Sequence, residues 1–422
     1  MHRDLVLEIL TGHKWRNSAP GLDRIRHLLE LLGNPQATLK FVHVAGTNGK
    51  GSTSAFIASV LKSAGYKTGL FTSPFLHRFN ERIRINNIAI DDESLIAIAK
   101  RVIEISDGLQ VHPNEFEMIT AVAMEYFARS SCDIVVLEVG LGGRLDPTNI
   151  IEDPLVSVIT NIGFDHTKIL GETLEAIAYE KGGIIKHGVP VVMYDQSPSV
   201  ESVIRKVCET KGANLFLAGL SDIVLHADSL DGQVFDVFGL NNLRIELLGK
   251  HQRANAAVAV STVYRLKELG FNLTEEAIRE GMKEAKWPGR FEIVSRSPIF
   301  VADGGHNVQC ASVVCEALQS YFEDLKKILV IGVIKEKDIH GILGEFYPII
   351  DRFVTVMPNH PEAMPSDELA LIIKTMGKEV IDANEVSCGV QTAAAMTGCG
   401  SVACSFGSLY MTGAVRSFFG LE

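Results

Sequence analysis

Residues 41–56 read FVHVAGTNGKGSTSAF, and the fold turns on this stretch. An apolar run rich in β-branched residues leads into Gly46, Thr47, Asn48, Gly49, Lys50, Gly51 and Ser52, then into the helix-like KGSTSAFIASVLKSAG. A strand, a glycine-rich turn and a helix make an anion site, because backbone N–H groups and the helix N-terminus converge on one point. Glycine permits close approach and positive φ, lysine adds a mobile charge for terminal phosphates, and a following hydroxyl suits Mg²⁺. The spacing is not that of the standard phosphate loop. Gly46 and Gly49 lie closer together, and Gly51 separates Lys50 from Ser52. A bare strand-to-helix turn is the competing reading; the phosphate loop is the better one.

Working outward, short apolar runs alternate with helical patterns. KTGLFT follows the helix after the loop, CDIVVLEVG follows FEMITAVAMEYFARS, LVSVITNI precedes TLEAIAYEKGG, and VPVVMYD precedes SVESVIRKVCETKG. Apolar strands covered on both faces by helices imply an α/β fold with a mostly parallel sheet. Residues 214–248 break the rhythm, with LFLAGL, DIVLHA, QVFDVFGL and LRIELLG reading as shorter strands of an antiparallel appendage. At KWPGRFEIV (286–294) Trp-Pro-Gly interrupts two helical segments, and the βα rhythm restarts in IFVADG, KILVIGVI, RFVTVMP and SVACSFGSLY. The expectation is a P-loop-type domain over 1–290 and a smaller α/β domain over 291–422, with a site in the cleft between them.

Composition narrows the partners. The 422 residues exceed one ordinary core, and the net charge of −11 without a basic block argues against nucleic acid or an anionic membrane. MHRDLVLEILTGHKW carries charges throughout and lacks a signal-peptide core, and no apolar stretch is long enough for a membrane span. Seven cysteines without a CxxC suit buried thiols in a reducing cytoplasm. No heptad or long apolar stripe argues for an oligomer, so a monomer is expected.

Ligands of open α/β sheets gather at the carboxyl ends of strands. Three candidates sit at such ends. Glu138 closes a buried apolar run, and a carboxylate there is costly unless paired or metal-bound. Asp165 and His166 lie just past the next strand, and Ser73 just past the strand that follows the loop helix. Each has a plainer reading: a satisfied buried carboxylate, a loop histidine, turn chemistry before Pro74. Together with the loop they form an oxygen-and-nitrogen shell for Mg²⁺, although imidazole is an uncommon ligand of that ion.

HVAGTNGKGS, TSPFLHRFNERIRI, LEVGLGGRLDPTN, FDHTKILG, EKGGIIK, HQRANAAVA, WPGRFE and DGGHN occur in this order. The series resembles folylpolyglutamate synthase/dihydrofolate synthase, the folate branch of the Mur-type ligases, from GLDRIRHLLELLGNPQ to FGSLYMTGAVR. The resemblance implies an ATP-dependent amide ligase. It would phosphorylate the carboxylate of dihydropteroate or a reduced folate, and L-glutamate would displace the phosphate. It implies ATP on Gly46–Ser52, with Asn255, Arg290 and Asp303 as further nucleotide contacts. Ser73, Glu138 and His166 match the family's Mg²⁺ ligands, and two ions are expected. Lys181 matches a lysine carbamylated by CO₂ in these enzymes, so that Lys50, Lys181 and His166 form the catalytic set. The plainer readings are a helix-face amide, a linker ion pair, a strand-end cap and a solvated helix-end lysine.

For the substrates, the resemblance places His306 and Ser408 near the incoming glutamate. It places Phe75, Arg82, Phe116, Glu117, Leu145 and Asp146 around the pterin. Gly182, Gly305 and Pro147 each replace a residue that the family more often has as alanine. Bifunctionality is expected, with polyglutamylation alone as the alternative. A peptidoglycan-precursor ligase would normally carry a further N-terminal domain, whereas about 40 residues precede the loop here. A nucleotide-binding regulatory module, the reading from another class, would have no use for the metal set.

Overall fold

The computed structural model describes residues 3–11 and 21–422; part of the expectation about the N-terminal fifteen residues lies outside them. The first sheet contains β1 (Phe41–Ala45), β2 (Thr68–Phe71), β3 (Ile83–Ile85), β4 (Ile88–Ala89), β5 (Ile134–Glu138), β6 (Val156–Ile159), β7 (Val191–Tyr194) and β8 (Leu215–Ala218). Their spatial order is β4-β3-β2-β5-β1-β6-β7-β8. The strands β2 to β8 that form its main body run parallel, and β3 and β4 add an antiparallel edge. Every residue of β1, β2, β5 and β6 is buried, as expected of strands covered on both faces.

Register fixes what meets at the carboxyl edge. Val44 lies beside Glu138, Phe71 beside Leu137, and Ala45 beside Ile159. The turns after β1, β2, β5 and β6 therefore emerge side by side, at the point where chain order reverses across β1. The helix Lys50–Ser63 carries the first of these turns. It is buried from Ser52 to Leu61 and packs against the helices Lys250–Glu268 and Glu275–Glu284.

Three further strands, β9 (Ile223–Ser229), β10 (Gly232–Val237) and β11 (Leu240–Ile245), form a separate antiparallel sheet. The sequence-based appendage is thus corrected at one end: LFLAGL is β8, the last parallel strand of the main sheet, paired along its length with β7. The second α/β domain holds β12 (Glu292–Arg296), β13 (Ile299–Ala302), β14 (Lys326–Ile331), β15 (Arg352–Met357), β16 (Glu379–Glu385) and β17 (Ser401–Phe406), ordered β12-β13-β17-β14-β15-β16. Only β12 is antiparallel. Trp287-Pro288-Gly289 does not separate two helices as expected; it joins the helix Glu275–Glu284 to β12. The sequence reading also passed over β16, whose charged EVIDANE alternates on a solvated edge.

Gly281 is where the second of those packed helices crosses the loop helix. A Cβ there would lie 2.3 Å from Val60 Cα and 2.6 Å from Val60 N. Backbone cannot swing aside as a side chain can, so any larger residue must separate the helices. Gly281→Val is expected to lower unfolding free energy by about 1–3 kcal/mol in urea titrations, the usual cost of overpacking. It should also weaken nucleotide binding, because the displaced helix carries the turn.

Candidate nucleotide and acyl-transfer site

The turn after β1 has almost no room for side chains. Gly46 has φ +157°, and a Cβ would fall 1.8 Å from Thr160 Oγ1. Gly49 has φ +85°, caps the helix Lys50–Ser63, and faces Asn255 Oδ1, 2.5 Å from where a Cβ would lie. Gly51 is crowded in the same way by the indole of Trp287 from the hinge. The turn is tied to the strand beside it: Thr47 N donates to Asn161 O at 2.7 Å, Thr160 Oγ1 to Asn48 O at 2.8 Å, and Thr47 Oγ1 to Gly163 O at 3.1 Å. Gln252 Nε2 donates to Ser52 Oγ at 3.3 Å, and Asn255 Nδ2 to Gln252 Oε1 at 3.0 Å.

Two lysines converge on one carbonyl. Lys181 Nζ donates to Gly46 O at 2.8 Å and Lys50 Nζ to the same oxygen at 3.1 Å, with Thr47 O at 3.2 Å from Lys50. Lys181 is 3% exposed, and burial, followed by the Lys50 charge, brings its pKa down to about 7. The Glu138 carboxyl is 4% exposed and accepts from Ser73 N at 3.2 Å. Burial pushes its pKa up to about 6, against the Lys50 charge and the Ser73 bond.

The second domain enters through Asp165. Its carboxylate meets Lys337 Nζ at 2.5 Å, Asn307 Nδ2 at 3.3 Å and His306 Nε2 at 3.5 Å. Burial opposes its ionisation, but the His306 bond and the charges of His306, Lys337 and His166 prevail and hold its pKa far below the ordinary range. Asn48 reaches across too, receiving Asn307 Nδ2 at 3.0 Å and Cys310 Sγ at 3.2 Å and donating to Gln309 Oε1 at 3.1 Å. Asp303, at the end of β13, accepts from Phe291 N at 2.8 Å and Gly305 N at 2.6 Å, and burial raises its pKa.

Most of these groups line a single cavity of about 480 Å³. It is bordered by Gly46–Ser52, Ser73, Glu138, His166, Lys181, Asn255, Arg290, Asp303 and His306. Comparison with known proteins agrees with this construction. The Mur ligase middle domain matches residues 44–263, and the Mur ligase glutamate ligase domain matches 289–409. The chain belongs to the Mur ligase family. The dihydrofolate synthase/folylpolyglutamate synthase of Bacillus subtilis is 38% identical over 379 residues, covering 87% of this chain and 85% of that one. Folylpolyglutamate synthase of Mycobacterium tuberculosis, solved with ADP and AMPPCP, superposes with a TM-score of 0.90 at 30% identity, covering 100% of this chain and 99% of that one. The Escherichia coli FolC protein in complex with DHPP and ADP gives 0.87 at 30% identity, covering 99% and 97%.

Within this Mur ligase the nucleotide and metal candidates share the cavity, whereas the pterin candidates do not border it. Phe75 and Phe79 flank Arg82, whose guanidinium lies 5.3 and 5.7 Å from their ring centres, and Phe116 packs on Phe71 at 5.8 Å. Leu145 is half-buried in the turn before Asp146. Three other expected substrate contacts have partners within the fold. Glu117 is fully buried in a capping box with Asn114 and a two-pronged ion pair with Arg24, at 2.9 and 3.1 Å. Asp146 is 4% exposed and spends its oxygens on Leu141 N, Thr148 N and Thr148 Oγ1. Ser408 caps the helix Leu409–Phe418 through Tyr410 N and is 3% exposed.

His166 adopts φ +49° and keeps 36% of its side-chain surface. Its ring nitrogens lie 3.8 Å from Asp165 and from Glu336. Loss of surrounding water lowers its pKa, so the neutral ring predominates at neutral pH. Sequence reasoning missed Lys337, Asn307, Gln309 and Trp287. Lys337 had a usable signal: it follows the carboxyl end of β14, the same position logic that found Glu138.

Glu138 yields a pH prediction. A carboxyl whose pKa is raised on folding, here from 4.5 to about 6, stabilises fully below pH 4.5 and loses that contribution as pH rises through 6. Gln mimics the protonated form. In metal- and nucleotide-free buffer, Glu138→Gln is expected to gain up to about 2 kcal/mol above pH 6 and nothing near pH 4, by urea unfolding.

Proposed function

We propose that this Mur ligase joins L-glutamate by an amide bond to dihydropteroate and also to folates that already carry glutamate, at the expense of ATP. The observation that carries this reading is the meeting of the glycine turn, Lys50, Lys181 and Glu138 in a cleft that the second domain closes with His306 and Asp303. The relatives' names supply the substrate class.

The residues present suit a nucleotide and magnesium. Gly46 and Gly49 leave their N–H groups open to phosphate where any Cβ would collide. Glu138 is a buried carboxyl held by one backbone N–H, so a cation would complete its surroundings. Among the described residues no three His, Cys, Asp or Glu gather as a metal cluster. A sparse protein shell fits magnesium, which keeps waters and phosphate oxygens. Ser73, Glu138 and His166 would hold it, with Lys181 at a second ion. Bound there, magnesium would neutralise phosphate charge and polarise the transferring group.

The chain's own contribution is placement and charge. Lys50, turned back on Gly46 O and Thr47 O, is free to swing toward the terminal phosphate. A carboxylate oxygen of the acceptor attacks the γ-phosphorus, the bond to the bridging oxygen breaks, and ADP leaves. The glutamate amine then attacks the acyl carbon, phosphate departs, and the nitrogen loses a proton. Acyl phosphates hydrolyse in water, so the Asn48–Asn307 and Asp165–Lys337 bridges serve by closing the cleft. Asn255, Arg290 and Asp303 border the nucleotide, while His306 faces the incoming amino acid.

Lys181 is read as the carbamate site. An amine with a pKa near 7 is substantially neutral at physiological pH. Its nitrogen attacks CO₂, a proton is released, and the buried cation becomes an anion suited to a metal.

Purified protein with ATP, Mg²⁺, glutamate and either dihydropteroate or tetrahydrofolate is the direct assay. Phosphate release should require acceptor and glutamate together, with both acceptors; release independent of them would defeat the reading. Lys50→Ala should cut kcat about 10²–10³-fold, the scale of losing one transition-state donor, with an unchanged urea midpoint. Lys181→Ala should lose activity that short carboxylates partly restore, and retained activity without them would dismiss the carbamate.

A further inference from the structure

Beside the main cavity lies a second one of about 300 Å³, which shares Ser73, Glu138 and Arg290 as a common wall. Its own walls include Arg84 from β3, His77, Trp287 from the hinge and Arg416 from the last helix. One of these charges is settled. Arg416 is paired with Glu292, its Nε lies 3.2 Å from His77 Nε2, and it is 6% exposed. Arg84 differs. Its Nε donates to Glu81 O at 2.9 Å, and its guanidinium lies 5.4 Å from the Trp287 ring centre. The carboxylate it approaches, Glu81, stays 3.8 Å away. That carboxylate already accepts from Leu76 N, His77 N and Arg78 N at 3.0, 3.0 and 2.8 Å. Arg84 is therefore a largely enclosed cation whose only close anion among the described residues, in a long ion pair at 3.8 Å, is shared with three backbone amides. A guanidinium in that state favours a two-pronged carboxylate ligand.

Acceptor chemistry supplies one. Dihydropteroate reacts through an aromatic carboxyl with no other acid beside it. A folate that already carries glutamate reacts through one carboxyl of its last residue and leaves the other a few bonds away. The Glu138 wall is common to both cavities, so the second cavity is the space that adjoins a carboxyl reacting there. We propose that Arg84 binds the unreacted carboxylate of the acceptor's terminal glutamate, making it a specificity residue for chain extension but not for addition of the first glutamate. This rests on the functional reading above and names a subsite within it.

The test compares wild type, Arg84→Met and Arg84→Lys at saturating ATP, varying dihydropteroate, tetrahydrofolate monoglutamate or its diglutamate. Arg84→Met should raise KM for both glutamylated acceptors about ten-fold, the loss of one charge-assisted hydrogen bond. Its kcat and its KM for dihydropteroate should stay unchanged, which also certifies the fold. Arg84→Lys, keeping the charge without the fork, should show a smaller rise. Equal effects on all acceptors, or none, overturn the subsite. So does a raised KM for free glutamate with every acceptor, which would give the cavity to the incoming amino acid. Wild-type protein that joins glutamate to neither acceptor instead defeats the functional reading, a result seen before any variant is made.

Discussion

The cleft depends on a backbone turn that has no room for a Cβ at Gly46 or Gly49. Gly46 lies against Thr160 and Gly49 against Asn255, so β6 and the helix Lys250–Glu268 both press on the turn from the protein side. Thr47 N and Asn48 N are tied to Asn161 O, and the turn as a whole borders the cavity. Positive φ at both glycines is what bends the chain from a buried strand into a helix within a few residues. Without that bend Lys50 would not stand at a helix start, and Glu138, one strand away, would lose the strongest of the positive charges that act on it.

Around this turn the protein concentrates charge where water is scarce. Glu138 resists ionisation and Lys181 resists protonation, so each is held away from its usual state by the same burial. Such groups weaken the empty protein. They are arranged so that an entering polyanion and cation would relieve them. The site therefore trades stability of the free chain for preorganised electrostatics, the larger contributor in phosphoryl and acyl transfer.

Closure uses the same groups. Asp165, from the first domain, is held ionised by Lys337 and His306 of the second, while Asn48 of the phosphate turn bonds Asn307 and Gln309. One turn thus touches both the nucleotide region and the opposing domain, so the position of the second domain is sensed where phosphate would lie. Trp287, stacked near Arg84 and pressed on Gly51, connects the hinge to the same point.

Local sequence determined much of this protein. The Gly46–Ser52 turn, the alternation of apolar strands and helices, and Glu138 and Ser73 at strand ends are all short-range patterns, and each followed from backbone geometry or the cost of burying charge. Tertiary structure decided what needed distant partners. Glu117 and Asp146, which the family resemblance places at the pterin, find their partners in Arg24 and in the turn at Leu141 and Thr148. LFLAGL joins the main sheet because β7 offers it an open parallel edge, which no local pattern encodes. Lys337 meets Asp165 across 172 positions of sequence, and Arg84 keeps only a long ion pair with Glu81 because three backbone amides share that carboxylate. Hydrogen-bond capacity is finite, and the competition for it is settled only once the whole chain is folded.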